Sequence, residues 1–270
     1  MTNKNFLNIL LLLLVLNIAI PSKPEFAGNK IKENNKSKLF TTREPYLLKH
    51  IDKNDSSKKR GEEIIADYVS AIGGRNKLRN IMDRTTFITG RVRNMNIHIV
   101  VYQKVPDKYF QKIKLGATQQ KIIFDGEKGF MITDDDTEEM QGQALKKLKY
   151  EATMQLLIYL TAYDVKAEYK GIEKANGVDA YKVILDFPGD MKWTEYYDTT
   201  TNLRLKEEKP VNSPSGKTTI QESFFSDYKD VDGIKYPFNI KQFLGTSKFE
   251  FYVDSIRVNT GLSDRNFEIE

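Results

Sequence analysis

His50 and His98 are the two imidazoles available for acid–base work or metal ligation in a chain of 270 residues with no cysteine. His98 alternates with Ile97 and Ile99, so on a strand its side chain faces away from theirs. His50 falls in a polar N-terminal stretch. The absence of Cys excludes a disulfide framework, zinc-thiolate and iron–sulfur sites, a thiol nucleophile and a lipid-modified Cys anchor. Carboxylates lie close together at Glu207-Glu208 and at Asp227 with Asp230. Adjacent strand residues point to opposite faces, so these pairs imply no glycosidase dyad. The run Asp134-Asp135-Asp136-Thr137-Glu138-Glu139 lacks the internal Gly and terminal Glu of a calcium loop. It reads instead as a helix start, with Asp136 or Thr137 as the cap. The signatures of zinc proteases, P-loops, nucleophile elbows and dinucleotide sites are absent. The chain therefore reads as a non-enzyme with no metal and no cofactor. A hydrolase of unfamiliar geometry would need convergent polar side chains inside a pocket.

The elements that would position any site are mostly strands. Ile64, Ile65, Tyr68, Val69 and Ile72 share one face of a helix that Gly73-Gly74 ends. Alternation then marks strands near Ile97–Val101, Tyr109–Leu115, Lys121–Phe124 and Gly129–Thr133. A helix carrying Met140, Ala144, Leu145 and Leu148 follows, with another over Met154–Leu160. Strands resume at Val165–Ile172, Ala180–Phe187, Trp193–Asp198, Leu203–Glu208, Thr218–Tyr228, Ile234–Leu244 and Lys248–Val258. Asp125-Gly126 and Asp232-Gly233 are hairpin turns. Pro237 inside a strand pattern predicts an edge or a bulge. About ten antiparallel strands in one meandering sheet are expected to curl, because long flat sheets are rare.

The charge is unevenly spread. The net is +5 with a pI of 9.0. Residues 28–60 hold ten Lys/Arg against four Asp/Glu, whereas residues 61–270 hold 30 against 32. The basicity thus belongs to a short polar segment, and the long remainder has no basic excess. No nucleic-acid partner is expected. Lys4 followed by the apolar run Phe6–Ile20 reads as a secretory signal within residues 1–27; an uncleaved anchor is the other reading. Residues 28–60 read as a disordered basic tether, with contact to an anionic membrane surface as its sharper role. Residues 61–270 form the folded domain, expected to be a monomer.

Several runs resemble a known exported bacterial family. They are Ala71-Ile72-Gly73-Gly74 with Lys77-Leu78, Lys104 to Tyr109, Phe124 to Phe130, Gly177 to Val183, Tyr196 to Leu203, Asp227 to Pro237, and Asp264–Glu268. Their order along residues 61–270 resembles the outer-membrane lipoprotein-sorting proteins, the LolA/LolB-like periplasmic carriers. The resemblance implies a mainly β (α+β) fold: a curled antiparallel sheet forming an incomplete β-barrel, with helices plugging the mouth. It implies a periplasmic, non-enzymatic carrier that holds acyl chains of lipids or lipoproteins in an apolar hollow. The missing Cys separates this chain from the lipid-anchored branch. Burying hydrocarbon yields about 0.8 kcal/mol per CH₂, so such a hollow needs apolar walls and a movable lid, here the two mid-chain helices. Candidate lipid-binding residues are Ile97, Ile99, Val101, Ile113, Leu115, Phe124, Trp193, Phe249 and Phe251, with Met140 and Leu157 from the helices. The alternative is a periplasmic protein-interaction module working with an envelope protease or assembly factor.

Overall fold

A computed structural model describes residues 53–92, 95–134, 136–212 and 218–269. The signal run, His50 and residues 28–52 lie outside the described residues. Helix α1 spans Lys53–Ala71, so its first two turns fall within the stretch expected to be a tether. A short helix α2, Arg75–Arg79, follows. Six strands come next: β1 Asp83–Val92, β2 Met95–Lys104, β3 Lys108–Leu115, β4 Thr118–Phe124, β5 Gly129–Thr133 and β6 Asp136–Met140. Helix α3, Gly142–Ala152, and two 3₁₀ turns, Leu156–Ile158 and Leu160–Tyr163, form a crossover. Seven more strands complete the sheet: β7 Lys166–Ala175, β8 Val178–Phe187, β9 Met191–Asp198, β10 Arg204–Asn212, β11 Thr218–Val231, β12 Ile234–Leu244 and β13 Ser247–Val258.

All 13 strands belong to one sheet, in the order β6-β5-β4-β3-β2-β1-β13-β12-β11-β10-β9-β8-β7. It is an antiparallel meander folded back so that β1 pairs with β13, Arg84 opposite Val258. The sheet curls without closing. Its edges are β6 and β7, neighbours in sequence, and the crossover bridges the gap between them. Both edges carry charge, DTEEM on β6 and KAEYKGIEKA on β7, which blunts pairing with other chains.

Local chemistry explains most boundaries. The buried face of α1 is Ile64, Ile65, Tyr68 and Val69, continued by Ile72 just past its end, as the spacing predicts. Gly74 N–H donates to Val69 O at 2.8 Å and ends the helix. Gly61 lets α1 lie directly on β7: a Cβ there would stand 2.3 Å from Ala167 O. Asp232 and Gly233, with φ of 52° and 78°, make the tight β11–β12 turn. Pro237 pairs with Tyr228 of β11, beyond the last β12–β13 pair, Asn239 with Tyr252, so that side of β12 has no ladder partner at Pro237.

Three local expectations are corrected. The acidic run starts no helix: Asp136–Met140 is strand β6, paired with β5, and Met140 sits at its end. The ladder to β5 satisfies this segment's backbone while most of its acids stay exposed. Helix α3 begins at Gly142, with no side-chain cap at Gln141. The second mid-chain helix is a pair of 3₁₀ turns, in which Leu156, Ile158 and Leu160 are buried. The third correction is β1 itself, which the alternation does not mark.

Candidate functional site

The sheet, α1 and the crossover enclose a cavity of about 360 Å³. Ligand pockets generally measure roughly 300–1,000 Å³. Tyr68 and Val69 of α1, with Ile72 just past its end, form one wall. The crossover forms a second, through Tyr150, Glu151 and the segment Thr153–Ile158. The sheet supplies the rest, with Ile88, Val101, Trp193, Phe225, Ile240 and Val253 among its apolar contributions.

Of the residues predicted to hold acyl chains, Val101, Trp193 and Leu157 line this cavity. Ile97, Ile99, Ile113, Leu115, Phe124, Met140, Phe249 and Phe251 are buried in an aliphatic core on the other side of the sheet's hollow, with Ala144 and Leu148 of α3 against them. The hollow is thus divided. One core cluster, built on β1–β5 and β11–β13, is mainly aliphatic, and the other, under α1 and the 3₁₀ turns, is richer in aromatic rings and lies beside the buried charges.

That charge is the feature the sequence reading missed. Strands β9 and β10 place Glu195 opposite Glu207. Both side chains point inward and are nearly buried, at 2% and 7% exposure. Arg204 Nη1 donates to Glu195 Oε1 at 2.9 Å and to Glu207 Oε2 at 3.2 Å. Lys209 Nζ stands 3.1 Å from Glu207 Oε2 and 3.9 Å from the centre of the Trp193 ring. Tyr197 O–H donates to Glu195, and Tyr228 O–H donates to Arg204 O at 2.8 Å. Burial disfavours the Arg204 cation, but Glu195 and Glu207 outweigh it and keep the guanidinium firmly protonated.

Helix α3 extends this cluster from the crossover. Glu151 Oε1 lies 4.0 Å from Lys209 Nζ, within ion-pair reach but beyond a hydrogen bond. Both Glu151 oxygens are buried without a hydrogen-bond partner. Burial pushes its carboxyl up to about 8, against the pull of Lys147 and Lys209. Burial likewise lowers the Lys147 ammonium to about 8, and that group donates to Pro210 O at 3.1 Å. The folded protein therefore keeps a proton on Glu151 that the unfolded chain releases as pH rises from about 4.5. Stability falls across pH 4.5 to 8 for this reason. Glu151→Gln is expected to match the parent in urea unfolding near pH 4.5 and to exceed it by about 2 kcal/mol at pH 8, a partial share of the linkage because Lys147 and Lys209 offset it. A difference that does not change with pH would refute this account.

Convergent polar side chains inside a pocket are what hydrolysis would need, and they are present. Their bonding is that of ion pairs, with Glu195 and Glu207 held by Arg204, Lys209 and Tyr197. Among the described residues, no Ser, Cys or His lines the cavity. His98 is exposed on β2.

No protein-family model and no curated relative matches this sequence. Solved structures do match in fold. An outer membrane lipoprotein-sorting protein domain from Vibrio parahaemolyticus superposes with a TM-score of 0.51 at 13% identity, covering 78% of this chain and 97% of that one. A DUF1329 family protein from Desulfovibrio piger gives 0.53 at 13% identity, with the same coverage. A LolA superfamily protein from Nitrosomonas europaea gives 0.52 at 13% identity, over 77% and 97%. With its 13-stranded, curled and unclosed sheet bridged by a short helical crossover, the chain has the LolA-like fold.

Proposed function

We propose that this chain is an exported, non-enzymatic binder and carrier of amphiphiles, which shields acyl chain in its cavity within the periplasm. The cavity of about 360 Å³ carries the reading. Its lining combines hydrocarbon, from Val69, Ile88, Val101, Leu157 and Ile240, with the buried ion pairs of Glu195, Arg204, Glu207 and Lys209. A purely apolar solute leaves buried polar atoms unmatched, and a purely polar one leaves hydrocarbon exposed. An amphiphile matches both. The lipoprotein-sorting likeness in fold and the apolar run Phe6–Ile20 support export and an envelope setting.

Gently purified protein, examined by native mass spectrometry and solvent extraction, should carry close to one amphiphile per chain. Val101→Trp should reduce that occupancy at least tenfold by filling the cavity while retaining the parent's circular dichroism. A chain that purifies empty and takes up no acyl probe from solution would end the proposal.

A further inference from the structure

The lining of the cavity has more cations than its own carboxylates engage. Glu151, Glu195 and Glu207 all face Arg204 and Lys209. Two other cations on the same wall, Arg84 of β1 and Lys235 of β12, have no carboxylate within 4.0 Å among the described residues. Arg84 is held in place without being neutralised. It donates to the Gln103 side chain, and its guanidinium lies 5.3 Å from the centre of the Tyr236 ring. Its Nε is buried with no acceptor. Arg84 as a whole is only partly buried on the cavity lining, and a guanidinium there without a counter-charge suits an anion.

The surroundings repeat the imbalance. Lys235 is exposed and marks the open side of the cavity. Helix α2 borders the same side, with Leu78 on the wall and Arg75, Lys77 and Arg79 exposed around it. Arg75 donates to Ile158 O at 2.6 Å, Lys77 to Gly233 O at 3.3 Å, and Arg79 lies over the Tyr159 ring. Among the described residues, none of the three is in an ion pair. The nearby acids are otherwise engaged: Asp83 accepts from the 260–262 backbone amides, and Asp230 from Gly233 N–H. Most charged groups elsewhere on β7 to β11 are paired. A rim of five unpaired cations on a domain with no basic excess is a local field for an anion.

We propose that the cavity selects an anionic amphiphile, its carboxylate or phosphate group meeting Arg84 at the mouth and its hydrocarbon lying against Val101 and Leu157. This rests on the amphiphile reading above and adds the sign of the headgroup. Guanidinium suits both oxyanions, because its fork matches two oxygens at once.

The test is displacement of the neutral probe N-phenyl-1-naphthylamine from the full chain. Competitors are palmitate, palmitoyl lysophosphatidate, monopalmitin and inorganic phosphate. At least one of the two acids should displace the probe at about a tenth of the monopalmitin concentration, and the stronger of them identifies the headgroup. Arg84→Gln should erase that preference and leave monopalmitin unchanged, and Arg84→Lys should keep part of it. Monopalmitin competing as well as both acids would overturn the anion selection and leave the amphiphile site intact. Displacement by inorganic phosphate alone would overturn the amphiphile. Failure of every acyl competitor would remove both readings.

Discussion

Arg204→Ala is expected to cost about 3–5 kcal/mol, because it leaves Glu195 and Glu207 buried without their shared cation. For a domain of this size each kcal/mol moves Tm by roughly 2–4 °C, so the transition should fall by on the order of 10 °C or more. Two bonds from one guanidinium hold these carboxylates, and the Phe225 ring lies 4.5 Å from its carbon. Water cannot replace the cation readily at 2% and 7% exposure. The double variant Arg204→Met, Glu195→Gln should recover most of the loss. It removes a cation together with an anion, keeps an acceptor for Tyr197, and leaves Glu207 with Lys209. Thermal unfolding of the three proteins decides the matter. A single-variant loss below 1 kcal/mol would mean that the cluster is solvated.

Phe124→Ala is expected to cost about 3–5 kcal/mol as well, for a different reason: it opens a void in packed core. Phe124 is 1% exposed and does not reach the cavity wall. Its loss should therefore leave acyl-probe affinity within twofold of the parent at temperatures where the variant is folded. Leu157→Ala reverses the pattern. Leu157 is half-buried on the wall, in the 3₁₀ turn, so truncation should cost about 1 kcal/mol or less and weaken the probe severalfold. Paired urea unfolding and probe titration separate the two. Equal effects on binding would show that the hollow is not divided as described.

This contrast marks what alternation can and cannot show. Ile97, Ile99, Ile113 and Leu115 read as one inward face, and they are. Alternation shows which side a residue faces, not whether the space there is open or filled. Packing from Ala144 and Leu148 of α3 fills it, and α3 is far from those strands in sequence. Strand β1 escapes notice because its inward positions, opposite Gln103, Val101, Ile99 and Ile97 of β2, are Arg84, Thr86, Ile88 and Gly90, which do not read as an apolar face. The buried charges escape for a related reason. Glu195, Arg204, Glu207 and Lys209 look like solvent-facing residues when each strand is read alone. A signal was present in their company: Glu195 shares a strand face with Trp193 and Tyr197, and Glu207 and Lys209 with Val211, all buried. What one strand cannot show is that the carboxylates of β9 and β10 stand opposite each other with a guanidinium between them.

The pairing of β1 with β13 has a kinetic consequence. Every other ladder joins strands consecutive in the chain, so β1–β6 and β7–β13 can each grow by local hairpins. Among the described residues only the β1–β13 ladder closes a loop spanning nearly the whole domain, so that closure is expected to be the slow step in refolding. It is also the step that creates the cavity, whose walls come from β1 and β2 on one side and β9 to β13 on the other. A ligand in that cavity has nothing to bind until the two meanders have joined. It therefore slows unfolding and leaves the folding rate unchanged.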